Sequence, residues 1–288
     1  QILLQHYGWF IMERIDKVTV GSIELISLLD ANLELPGEVF LNVPPDKESE
    51  ISSMPEKKLT ASHVNAYIVK TGNSTLLVDA GCRDVFGPTG GFLIEALQNA
   101  NIEPKEITDI FFTHLHPDHV AGAVDAEGTA VFPNAELKVV SDEYKFWHSD
   151  NFQDVDVNGK NFANMAKATI DAYGDQISML SDNDTIVPGV TVLSLPGHTP
   201  AHAGFRIDEG GETFVHMGDA LHAQALQLSD PKISIAFDVD PEQARKSREM
   251  VFDMVATDQF LCTGSHVITP KFGFLKREGT GYILEMGA

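Results

Sequence analysis

The segment that most restricts this chain is THLHPDHVAG, Thr113 to Gly122, which follows directly on the apolar run ITDIFF. Three histidines and an aspartate crowd the stretch His114 to His119. If ITDIFF is a buried strand, His114 and His116 lie on one side of the extended chain leaving it, because side chains alternate with period two. Pro117 then fixes the turn, and Asp118 and His119 fall at a helix start, aimed back into the same space. Imidazole nitrogens and a carboxylate together suit a borderline divalent ion, zinc first, with manganese, iron or cobalt as alternatives. The competing reading is a polar loop that happens to be rich in histidine, and the rest of the chain has to decide.

Partners for such an ion occur downstream. PGHTPAH supplies His198, MGDAL supplies Asp219 and TGSH supplies His266, each after an apolar, strand-like stretch. Singly each is ordinary; together they complete two coordination spheres. The surrounding pattern is α/β. VNAYIVKTGNSTLLVDAG reads as strand, Gly-Asn turn, strand. GGFLIEALQNANI has helical spacing, with Phe92, Leu93, Ala96, Leu97 and Ala100 on one side. In DPEQARKSREMVFDMVATDQ, Asp240 is the N-cap, Pro241 the first helical residue and Glu242 part of the first turn. Polar clusters recur after strands, where α/β proteins place their chemistry.

Composition removes whole classes of partner. With 42 acidic against 20 basic residues the formal charge is −22, which repels phosphate backbones and argues against nucleic acid. No run approaches the roughly 18–20 apolar residues of a membrane span. The 288 residues show no repeat or splitting linker, so we expect a single domain over 1–288. Residues 36–60, rich in proline and charge, read as a surface excursion. The opening lacks a basic leader and a small-residue cleavage site; Met12 can be the natural start and 1–11 an upstream remnant. A cytoplasmic location follows, or a periplasmic or secreted one if a leader has been removed. Cys82 and Cys262 are expected as buried free thiols.

His-x-His-x-Asp-His followed by separate His, Asp and His resembles the metallo-β-lactamase-fold hydrolases, over about Val64 to His266. The resemblance implies a four-layered αβ/βα sandwich with the metal site at one edge. It implies two divalent ions per chain, one held by His114, His116 and His198 and the other by Asp118, His119 and His266, with Asp219 bridging. Asp79, in LVDAG, would support the ligands from behind. A water shared between two cations loses its proton near neutral pH, giving a bridging hydroxide, and Asp118 beside it would orient it or relay its proton as the catalytic carboxylate. A homodimer is also implied.

Flanking segments narrow the resemblance. DVFGPTGG, FPNAELKVVSDEYKFW, DNDTIVPGV and GHTPAH are similar to the methyl parathion hydrolase group of organophosphate triesterases. In that group aromatic side chains line a leaving-group pocket, a role that falls by position to Phe86, Trp147 and Phe162; ordinary core packing is the alternative. Acyl-homoserine lactonases share the ligand set. The reading is therefore hydrolysis of an uncharged small-molecule ester, with aryl dialkyl phosphotriesters first and a lactone or aryl carboxylester second. A catalytically idle metal-binding protein is the remote alternative, since none of the ligands is lost. Ala201 replaces a glycine of the common HTPGH element, which is harmless unless that backbone needs a positive φ. His222 lies within reach of the pocket or the back of the site, and His202 and His63 have weaker claims. His6, His148 and His216 read as structural or exposed. The acidic run 150–159 lacks the ordered spacing and terminal glutamate of a calcium loop.

Overall fold

Along the strands, neighbouring side chains enter different cores. In the strand Ile23–Glu34, Ile23 and Leu25 join one apolar cluster while Ile26 and Leu28 join another; in Ala61–Thr71, Tyr67 and Val69 separate from Ala66 and Ile68 in the same way. A strand buried on both faces must lie inside a layered structure. The computed structural model, which describes residues 14–53, 59–149, 156–157 and 160–287, has four such layers. The first sheet orders the strands Ile15–Val20, Ile23–Glu34, Ala61–Thr71, Ser74–Val78, Asp109–Phe111, Glu136–Val140 and Ile177–Leu180. Its first four strands are antiparallel and its last four parallel. The second sheet orders Thr185–Val187, Val190–Ser194, Ala203–Glu209, Glu212–His216, Leu261–Thr263, Gly273–Glu278 and Gly281–Glu285, with one parallel pair, Glu212–His216 beside Leu261–Thr263.

The sheets face one another across Leu25, Tyr67, Val78, Phe111, Phe205 and Phe214. Helices Leu93–Asn99, Ser141–His148 and Phe162–Tyr173 cover the outer face of the first sheet through Leu97, Trp147, Ala166 and Ile170. Helix Pro241–Asp258 covers the second through Val251, Phe252 and Val255, and starts where expected: the Asp240 side chain accepts from the Gln243 amide at 3.0 Å. Both cysteines are buried and free.

The segment after Glu34 is more structured than a surface excursion. Phe40–Leu41 pairs with Ser234–Ile235, a helix spans Pro45–Ser53, and Phe40 is buried with Leu226, Ile233 and Ile235. That docking holds Leu35 and Pro36 over one edge of the sandwich. Residues 1–11 and 54–58, like most of the acidic run 150–159, lie outside the described residues. Among the described residues no helix is long and apolar enough to cross a membrane.

Candidate metal centre

Strand ends from both sheets meet at this edge. The strand Asp109–Phe111 gives way to Thr113–His116, then to the one-turn helix Pro117–Val120, with His116 at its N-cap position and Pro117 first. Asp79, following Val78, adopts a left-handed backbone with φ 57°. This turns its carboxylate under the loop, where it accepts from the Thr113 amide (2.9 Å) and hydroxyl (2.9 Å) and meets His119 Nδ1 at 2.8 Å. A strained backbone at a buried polar residue is typical of functional positions. From the second sheet, His198 follows the strand Val190–Ser194, Asp219 follows Glu212–His216, and His266 follows Leu261–Thr263.

The outcome is a cluster of inward-facing ligand atoms. His114 Nε2 and His116 Nδ1 stand 2.9 Å apart. The Oδ2 atom of Asp219 has His266 Nε2 at 3.0 Å, His119 Nε2 and His198 Nε2 at 3.3 Å and His114 Nε2 at 3.7 Å. Asp118 Oδ2 lies 3.4 Å from His119 Nε2 and 3.6 Å from His266 Nε2. Among the described residues, four overlapping groups have metal-compatible spacing: His114 with His116 and His198, Asp118 with His119 and His266, His114 with His202 and Asp219, and His198 with Asp219 and His222. The first two share no residue, and Asp219 lies against both. A cation fits this donor set for a specific reason. His119 Nε2, His198 Nε2 and Asp219 Oδ1 are buried without a hydrogen-bond partner, and buried polar atoms left unpaired cost stability unless something coordinates them.

The outward-facing nitrogens fix the tautomers. His198 Nδ1 lies 2.8 Å from Asp238 Oδ1, and His266 Nδ1 lies 2.6 Å from the His63 carbonyl. A carbonyl only accepts, so His266 Nδ1 carries the proton and Nε2 is left as a ligand. Electrostatics split the imidazoles. Burial pushes His114 and His116 well below the ordinary histidine value, helped by the neighbouring imidazoles. For His119 burial also opposes the charge, but Asp219, Asp118 and Asp79 outweigh it and the pKa is raised. His198 is raised to about 9 in the same way, by Asp219 and Asp238 against burial. Burial works against the ionised forms of Asp219 and Asp118, yet the surrounding imidazoles hold both below the usual carboxylate range.

Several residues that position this cluster carry no signal in the sequence. Glu143, fully buried, accepts from the Leu115 amide (3.0 Å), the Trp147 indole (2.6 Å) and the Thr199 hydroxyl (2.7 Å), tying together the loops of His116 and His198. Its partners lie up to 56 positions away, beyond any local pattern. Asp238 is itself held by Arg248, 3.7 Å away. His202 is a structural partner: its Nδ1 donates to the Leu195 carbonyl (2.7 Å) and its Nε2 accepts from the Asp219 amide (2.8 Å). A side chain on Gly218, whose φ is 51°, would meet that ring at 2.3 Å, so glycine is required there. Ala201 has no positive φ, and its methyl is accommodated.

A cavity of about 340 Å³ opens above the cluster. Its floor includes His116, Asp118, His198, Asp219 and His266, and its walls are Leu33, Leu35, Pro36, Phe86, Phe162 and Phe237, with the exposed Glu34 among them. Phe86 and Phe162 are thus in the wall. Trp147 is placed differently: it is fully buried, edge-on to His116 at 5.5 Å, and is not among the lining residues, because its indole N–H is drawn to Glu143. Phe237, 41% exposed at the mouth, is the aromatic that the sequence did not suggest. His222 also lines the cavity, with Nε2 3.2 Å from Asp219 Oδ2 and its ring stacked 4.8 Å from His266. A larger groove of about 750 Å³, along Lys17, Phe260 and Phe272, contains none of the cluster.

The family model of the metallo-beta-lactamase superfamily matches residues 59–261, and the chain belongs to that superfamily. Among individual proteins, it is 24% identical over 183 residues to an N-acyl homoserine lactonase of Bacillus sp, a match covering 57% of this chain. The chain spans 65% of the length of that relative. Among solved structures, the hydrolase AbOPH of the beta lactamase superfamily superposes with a TM-score of 0.87 at 25% identity, covering 96% of this chain and 98% of that one. The dizinc quorum-quenching lactonase AidC, in complex with a product, shares the fold with a TM-score of 0.84 at 24% identity, over 95% of this chain and 97% of that one.

Proposed function

We propose that this chain is a dinuclear metal-dependent hydrolase of uncharged esters, acting first on lactones that carry an apolar chain. The observation that carries the reading is a cavity with mostly apolar walls whose floor is the imidazole and carboxylate cluster. His114, His116 and His198 would hold one ion, Asp118, His119 and His266 the other, and Asp219 both. Zinc suits this nitrogen-rich set best, and the dizinc centre of a fold relative is in keeping with it. When bound, the ions would supply an acidified water and polarise the ester oxygen. Asp118, its side chain 15% exposed beside His119 and His266, would orient that water or relay its proton. Leu33, Leu35 and Phe237 grip the apolar part of the substrate and exclude bulk water, and the net charge of −22 disfavours anionic substrates.

The lactonase relatives support placing lactones ahead of aryl phosphotriesters, reversing the order given by the flanking motifs. Phosphotriesters stay as the second reading because Phe86, Phe162 and Phe237 offer three aromatic faces to an aryl leaving group. The deciding experiment is a panel of acyl-homoserine lactones, nitrophenyl phosphotriesters and nitrophenyl carboxylesters with zinc, manganese or cobalt added back to chelated protein. Lactones should give the highest kcat/KM. No metal-dependent turnover of any member would end the hydrolase reading, and a preference for phosphotriesters would restore the other order.

A further inference from the structure

His266, like His198, is a candidate ligand with no helix or strand of its own to hold it. It lies between the strands Leu261–Thr263 and Gly273–Glu278, in a stretch with neither helix nor strand. Its ring is oriented by a carbonyl of the other sheet, that of His63, 203 positions away. A ligand placed this way needs a separate device to hold its loop, and one is present. The Asn65 amide donates to the Ser265 carbonyl at 2.9 Å, and the Asn65 side-chain amide donates to the carbonyls of both Ser265 and Val267, each at 2.9 Å. The residues on either side of His266 are thereby pinned to the strand Ala61–Thr71.

Lys271 completes the arrangement. Its Nζ donates to Val267 O (2.9 Å), to Asn65 Oδ1 (2.6 Å) and to His63 Nδ1 (2.6 Å). In its charged form the amine has three protons, one for each acceptor. All three acceptors are neutral, and the residue is only 9% exposed. Burying a cation against neutral acceptors is costly, offset in part by Asp16 across the neighbouring groove, and removing the lysine would leave those acceptors without their donor. What the ammonium adds is geometry. It locks the Asn65 amide in the orientation that clamps 265 and 267, and it fixes the residue whose carbonyl aligns the His266 ring.

We propose that Lys271 and Asn65 form a positioning unit for the ion held by Asp118, His119 and His266, with no part in holding the ion at His114, His116 and His198. This rests on the two-ion reading given above. Outer groups that orient a metal ligand typically change affinity 10- to 100-fold.

The test uses the purified 288-residue chain and zinc alone. Chelator competition resolves the two affinities, and the thermal midpoint of the metal-free protein is measured alongside. Lys271→Met should weaken one ion by about 10- to 100-fold and leave the other within about threefold, with the metal-free midpoint somewhat lowered because three acceptors lose their donor. Asn65→Ala should weaken the same ion, and the double variant should be no worse than the worse single one, because both act through one loop. Wild-type affinities for both ions in Lys271→Met would overturn the proposal. Equal weakening of both ions would also overturn it, in favour of a general structural role, as would additive losses in the double variant. A wild-type chain that fails to hold two ions would overturn the two-ion reading and this inference with it; two ions in the wild type and two unchanged in the variant overturn this inference alone.

Discussion

The two halves of the centre are built by different means. Around His114, His116 and His198 the supports are buried carboxylates: Glu143 ties the two loops together, and Asp238, held by Arg248, takes the outer nitrogen of His198. Around Asp118, His119 and His266 the supports are mixed. His119 has Asp79 behind it, but His266 has a carbonyl, an amide side chain and a lysine. A carboxylate behind an imidazole adds charge and raises its basicity strongly as well as aligning it, whereas a neutral carbonyl aligns it with a smaller effect on basicity. The first half should therefore be disturbed by neutralising a charge, and the second by loosening a loop.

The severest break removes what the halves share. Asp219→Ala takes away the oxygen in contact with imidazoles of both sets, and elemental analysis should find both ions lost, with turnover down by at least about 100-fold. Two retained ions and normal turnover would refute the shared position. Next, His116→Ala and His266→Ala should each leave about one ion per chain, from opposite halves; loss of both in either variant would mean the halves are not independent. Asp238→Asn then tests the carboxylate support, with zinc affinity at one site expected to fall about 10-fold while the Lys271-dependent site is unchanged. Glu143→Gln should act on stability, lowering the unfolding free energy by about 1–3 kcal/mol, because a side-chain amide cannot accept all three donors that converge there. An unchanged denaturation midpoint would contradict this.

The smallest effect is one of pH. Burial lowers the pKa of Lys271 from its ordinary 10.5 to about 7, with Asp16 opposing the shift. Between those values the unfolded chain binds more protons at this site than the folded one, so stability should rise with pH across that window. The slope is at most about 1.4 kcal/mol per pH unit. It should be present in the wild type and absent from Lys271→Met; identical slopes in denaturant titrations would show that the lysine is not buried as described.

Much of this centre was legible locally. The triad spacing in THLHPDH, the Pro117 helix start and the strand before it are short-range features, and the residues converge as that spacing demands. The aromatic assignments show where local reading stops. Phe86 and Phe162 reached the cavity wall, while Trp147, on the same argument, turned into the core because its N–H found Glu143. Phe237 entered from a loop with no distinguishing pattern.

The sequence by itself determined the α/β pattern and the chemistry of the donors, because strand periodicity and side-chain ligand types are properties of short stretches, while the layered sandwich entered through the family resemblance. Only the tertiary structure decided which groups hold the ligands in place and what walls the cavity above them. Glu143 with Thr199, Asn65 with Val267 and Lys271 with His63 are contacts between residues 56 to 208 positions apart. Hydrogen bonds over such separations depend on how two sheets pack, and no local pattern encodes them.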